Sequence, residues 1–182
     1  MSDVADRYRR LSAEFTRRVG AVPDERWDDP SPCTEWTARD VLRHVVDTQA
    51  STPSYAKEET VLERSADDDP AAAWAEARDA MQALLDDPAR AGKSYEGMFG
   101  QTTLEKTVDT FIGLDLIVPA WDIARATGQE EIMPPDDVHE LYAQVQQMGD
   151  MLRTSGVCGP AVEVPEDAPA QDRLLGLLGR QP

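Results

Sequence analysis

The amino-acid sequence predicts an all-α fold, a helical bundle with extra short helices and a C-terminal tail. Two patterns carry the all-α reading: apolar residues recur at spacings of three and four along successive segments, and no stretch alternates with period two over more than a few residues. Helix-entry signatures supply a third, because Thr37/Asp40, Asp69/Pro70, Thr102/Glu105 and Pro134/Pro135 stand where those segments begin. At 182 residues the chain fits one domain, with the bundle over about 1–155 and a packed-back tail over about 156–182. A core of that size needs neither disulfide nor metal to hold it.

The first helix spans about residues 3–21, its stripe made by Tyr8, Leu11, Phe15, Val19 and Val22 before Pro23 ends it. The second starts at the capping-box pair Thr37 and Asp40, with Trp36 and Val41 at the positions of a hydrophobic staple, and runs to about Ala50. Its stripe of Val41, His44, Val45 and Thr48 turns His44 inward. The connection STPSYAKEETVLERSADDD holds at most one short helix and is the candidate lid. Asp69 caps a third helix with Trp74, Ala77, Met81, Leu84 and Leu85 inward, and a glycine-punctuated link, GKSYEGMFGQ, follows. The fourth helix starts at Thr102 and Glu105, carries Leu104, Val108, Phe111, Ile112, Asp115, Pro119 and Asp122 on one face, and ends at Gly128. The fifth places Val138, Leu141, Val145, Met148 and Leu152 inward and closes at Gly156, after which the proline-rich tail turns helical around Leu174 to Leu178.

Composition excludes several classes. With 35 acidic and 18 basic residues the net charge is −17, a field that repels nucleic-acid phosphates and anionic membranes. The N-terminus has no apolar run after its charges and no segment has about 18 consecutive apolar residues, so neither a signal peptide nor a membrane span is expected, and the reading is cytoplasmic. Cys33 and Cys158 lack any metal-module spacing and read as reduced thiols. A bundle of this size is compatible with a homodimer, although no exposed apolar stripe demands one. No Walker loop, GxGxxG, GxSxG or HExxH sequence occurs, which leaves kinases, common dehydrogenases and common hydrolases without support.

Chemistry concentrates at two places. His44 on an apolar helix face needs a polar partner, and Asp115 between Ile112 and Leu116 is costly unless it is paired, protonated or bound to a cation. A direct His44–Asp115 hydrogen bond satisfies both; so does a divalent zinc or nickel ion. The residue one turn beyond Asp115 shares its face, but it is Pro119, which offers no ligand atom, lacks an amide hydrogen and crowds the Asp115 carbonyl, so a kink is expected there. Asp47, Asp122, Cys33 and His139 are the remaining candidates to complete a site; Asp47 and Asp122 read equally as caps or ion-pair members, and His139 lies off its helix stripe, as surface residues do. Trp36 and Trp121 flank the two motifs, either as core or as walls for a planar small-molecule ligand. Cys33 precedes a helix N-terminus, yet no histidine adjoins it in sequence to act as its base.

PCTEWTARDVLRHVV, DLIVPAWDIARATG and VEVPEDAPAQDRLLGLLGR together resemble the actinobacterial DinB-like proteins related to mycothiol-dependent maleylpyruvate isomerase, over nearly the whole chain. The resemblance implies a four-helix bundle that often holds a divalent metal, with thiol-dependent transferases and isomerases among its members and mycothiol as a co-substrate. It places the family's first histidine ligand on His44, its acidic ligand on Asp115 and its second histidine on Pro119. Only two of three protein ligands then remain, a degenerate site that holds no metal or holds it weakly. The leading expectation is a small-molecule transferase or isomerase of this type with a metal-free pair, in which His44 is general acid or base and Asp115 orients it. The alternatives are a non-catalytic small-molecule or partner-binding descendant, and a weak divalent-metal site completed by water or Asp47.

Overall fold

The computed structural model describes residues 2–97, 100–149 and 158–182. They form two compact units, Met1–Gln129 and Glu130–Pro182. The first holds helices α1 (Asp3–Gly20), α2 (Ala38–Ser51), α3 (Pro70–Leu85) and α4 (Pro88–Ala91), strands β1 (Ser94–Gly97) and β2 (Gly100–Thr103), and then α5 (Leu104–Thr107) and α6 (Gly113–Thr127). Both α1 and α2 pack against α3 and against α6, which makes the four-helix bundle. The expected helical class is thus met.

The stripes read from sequence do the packing. Tyr8, Leu11, Phe15 and Val19 of α1 are buried, as are Trp74, Ala77, Met81, Leu84 and Leu85 of α3, and the Phe15 and Trp74 rings meet at 4.6 Å. The entries of α1, α2 and α3 are capped by side chains: Ser2 accepts from the Ala5 amide, Thr37 from Asp40 and Asp69 from Ala72. The glycine-punctuated link holds two short antiparallel strands, in which Tyr95 pairs with Thr102. Strands four residues long leave too little alternation to register as a pattern. The fourth helix's start is also corrected by one residue: the cap is Thr103, the last residue of β2, accepting from the Lys106 amide.

From Leu104 to Thr127 the chain is one helical run, and Pro119 does not end it. An irregularity lies two to three turns earlier, in a π segment at Val108–Ile112. There the Gly113 amide bonds to the Val108 carbonyl, five residues back, leaving the Asp109 carbonyl that an α-helix would have used. Arg7 of α1 takes it: its Nη1 donates to the Asp109 carbonyl at 3.0 Å and to the carboxylate at 3.2 Å. Gly113 makes room, since a Cβ there would stand 2.6 Å from Arg7 Nη1. Downstream the helix ends as expected at Gly128, in the left-handed region at φ 70°.

The candidate lid opens with a 3₁₀ turn, Thr52–Ala56, and is then tied down along its length. Glu58 pairs with Arg90 and Lys93, the Glu76 carboxylate accepts the Glu63 and Arg64 amides, and Arg39 donates to the Ala66 and Asp67 carbonyls. In the second unit α7 (Pro135–Met148) packs on α8 (Ala170–Leu177), with Val138, Leu141, Val145, Leu174 and Leu175 buried. The expected inward Leu152 and closing Gly156 lie outside the described residues. Among those described, no helix is long and apolar enough to cross a membrane.

Candidate functional site

The segment entering α2 is a folded loop. The Ser31 amide donates to the Trp36 carbonyl at 2.8 Å and the Trp36 amide to the Cys33 carbonyl at 3.0 Å, with Glu35 in the left-handed region at φ 65°. The capping box then fixes α2: Thr37 accepts from the Asp40 amide, and Asp40 accepts from the Thr37 amide at 2.9 Å. Those bonds hold the Asp40 carboxyl down at about 2, the Thr37 amide contributing most and the Thr37 hydroxyl and Arg43 adding to it.

On this frame His44 of α2 faces Asp115 of α6, with Nε2 3.4 Å from each carboxylate oxygen. The pair expected from sequence therefore meets, but not in the core. The imidazole is 43% exposed, against 17% for the Asp115 side chain, so the expectation of a buried histidine is corrected. The reason is geometric: α2 buries Ala38, Val41, Leu42, Val45, Val46 and Gln49, and His44 falls at the margin of that seam. Trp36 is likewise not core. It remains 39% exposed, and its ring lies 5.4 Å from the imidazole at 50°.

Seven residues along α6, two turns and about 10 Å from Asp115, Asp122 is fully buried, and its Oδ2 accepts from the Cys33 thiol at 3.5 Å. Each of these residues was a separate candidate, and only the loop's path makes them a pair. Trp121 is buried, with the Arg125 guanidinium 5.1 Å from its ring and its indole N–H without a hydrogen-bond partner among the described residues. Asp47 is exposed, and His139 sits exposed on α7 in the second unit.

His44 and Asp115 supply two donors, Pro119 supplies none, and among the described residues no three His, Cys, Asp or Glu side chains gather to hold an ion. What remains is an imidazole and a carboxylate in register, half open to solvent, beside an indole.

The fold is a helical bundle in which His44 on the second helix faces Asp115 on the fourth. The chain belongs to the mycothiol maleylpyruvate isomerase N-terminal domain family, whose model matches residues 8–130. It is also similar to two uncharacterized proteins from two strains of Mycobacterium tuberculosis, each 29% identical over 178 residues, which cover 95% of this chain and 95% of theirs. No solved structure matches it.

Proposed function

We propose that the protein is a small-molecule enzyme of the thiol-dependent isomerase or transferase type in which the His44–Asp115 pair works without a metal centre. The observation that supports this reading is the placement of His44 Nε2 3.4 Å from both oxygens of Asp115 while the ring stays open to solvent. A proton on Nε2 faces the carboxylate, which makes Nδ1 the basic nitrogen and stabilises the imidazolium formed when it takes a proton. A low-molecular-weight thiol is the natural proton donor. Its sulfur then adds to a conjugated double bond, the carbonyl takes up the electron pair as an enolate, the former double bond rotates, and expulsion of the thiolate restores it in the other geometry. His44 returns the proton to sulfur. The family name supplies mycothiol and maleylpyruvate as the first pair to assay.

The test is turnover of maleylpyruvate with mycothiol, before and after exhaustive chelation, in the parent protein and in His44→Ala and Asp115→Asn. General acid–base participation is worth about 10²–10⁴-fold, so His44→Ala should fall by at least about 100-fold, Asp115→Asn by less, and chelation should change nothing. Full activity in His44→Ala overturns the assignment.

Pro119 favours a second reading, a non-catalytic binder, because it stands where the family resemblance places a ligand. Under that reading no thiol–substrate combination turns over, while small molecules still perturb Trp36 fluorescence.

A further inference from the structure

Asp122 does nothing in the mechanism above, yet it is a carboxylate with no exposure at all on the helix that carries Asp115. Burying such a group costs several kcal/mol unless donors meet it, so its contacts are informative. One of them is the Cys33 thiol, at 3.5 Å from Oδ2. Cys33 belongs to the folded loop: its carbonyl accepts the Trp36 amide, and its own amide is held by Ser31 Oγ at 3.2 Å. Trp36 in turn lies against His44, and His44 faces Asp115. The chain of contacts leaves α6 at Asp122 and returns to it two turns away at Asp115.

We propose that Asp122 is a positioning residue that acts through the Cys33 thiol to seat Trp36 beside His44. The proposal deepens the reading of His44 and Asp115 as the working pair and takes its functional meaning from it. Three features carry it. The thiol is a side-chain link from this loop to α6; the loop's backbone bonds transmit its position to Trp36 within three residues; and Trp36 is half exposed, so burial alone does not hold the ring in place. The role assigned to Cys33 is donor, not nucleophile. An indole fixed beside the imidazole restricts which face of His44 a substrate reaches and offers a flat surface for a conjugated one.

The experiment reads the Trp36–His44 contact itself and needs no substrate. The chain has two histidines, so the His44 ring protons are assigned by comparison with a His139→Gln variant. An indole at 5.4 Å displaces those resonances by its ring current, and Trp36→Ala defines the undisplaced position. Cys33→Ala should lose most of that displacement, whereas Cys33→Ser, which keeps a donor, should retain it. Asp122→Asn, similar in shape and still offering an acceptor, should lie between them, and circular dichroism confirms that each variant is folded. Unchanged resonances in Cys33→Ala would show that the backbone bonds of the loop seat Trp36 unaided, and would overturn the proposal. Equal loss in Cys33→Ala and Cys33→Ser would overturn it too, by assigning the effect to sulfur packing. Either result is independent of turnover, so failure of the enzymatic reading would be seen separately, as an active His44→Ala or an inactive parent.

Discussion

Pro119 sits one turn beyond Asp115 on the face that meets α2, and it withholds two things from that turn: a donor atom for any ion and an amide for the Asp115 carbonyl. Histidine at this position would return both. Residues four apart on a helix lie about 5–6 Å apart at Cβ, so the introduced imidazole and Asp115 would share a face with His44 opposite, the three-donor set a catalytic zinc takes. Pro119→His is therefore expected to bind about one equivalent of zinc or nickel, read by elemental mass spectrometry after dialysis, and to lose it when His44→Ala is added. The parent is expected to retain none. A metal-free Pro119→His would mean that α2 and α6 are set too far apart at this level for a shared ion, and a metal-loaded parent would mean that water and two ligands suffice.

The π segment is the element that most shapes the fourth helix. One extra residue in the turn Val108–Ile112 rotates everything after it relative to the face that Leu104 and Val108 began. Two glycines give a paired test of what holds it. Glycine to alanine in a helix gains about 0.5–1 kcal/mol where nothing obstructs the new methyl. Gly20, at the end of α1, has no atom within 4 Å of the added Cβ, so Gly20→Ala should stabilise by about that amount. At Gly113 the methyl meets Arg7 Nη1 at 2.6 Å, and the guanidinium must shift from where it bonds the Asp109 carbonyl and carboxylate, weakening both bonds. A hydrogen bond from a charged donor is worth about 1.5–3 kcal/mol, so Gly113→Ala should be destabilising by about 1 kcal/mol despite the better helix former. Urea denaturation reads both, and a stabilised Gly113→Ala would show that Arg7 is not what holds the wide turn. The same element marks where sequence reading stopped. The capping box at Thr37–Asp40 was legible because all its bonds lie within four residues, and the His44–Asp115 pairing because both sit among apolar residues at helical spacing. The π turn was not, because the guanidinium that meets its Asp109 carbonyl comes from 102 residues away. Nor was the exposure of His44, because periodicity gives the direction of a side chain and not how far the neighbouring helix reaches over it.

At the scale of the whole molecule the excess of 17 negative charges works against compactness, while particular carboxylates work for it, and pH separates the two. Asp40 is held at about 2, chiefly by the Thr37 amide; Glu14 is lowered by Arg17; Glu58 by Lys93; and Glu76 by the Glu63 amide. Each of these groups has a lower pKa folded than unfolded. Its stabilisation is present above the ordinary carboxylate range, about 4, and is lost only as pH falls through the lowered folded value. General repulsion behaves oppositely: it is strongest at neutral pH and above, and fades as the net charge approaches zero near the sequence pI of 4.3. Going from pH 8 to about 5 therefore relieves repulsion while the specific bonds persist, and the melting temperature should rise. Below about 4 it should fall as those carboxylates protonate, and the Glu63 and Arg64 amides, which Glu76 holds, should lose hydrogen-exchange protection before the α3 core around Trp74 does. Added salt at pH 8 should act like mild acid and raise the melting temperature, because excess like charge is screened over about 8–10 Å at ionic strengths near 0.1 M. A melting temperature that falls with salt and is flat from pH 8 to pH 5 would reverse the assignment, making the surface ion pairs, and not the net charge, the controlling electrostatic feature.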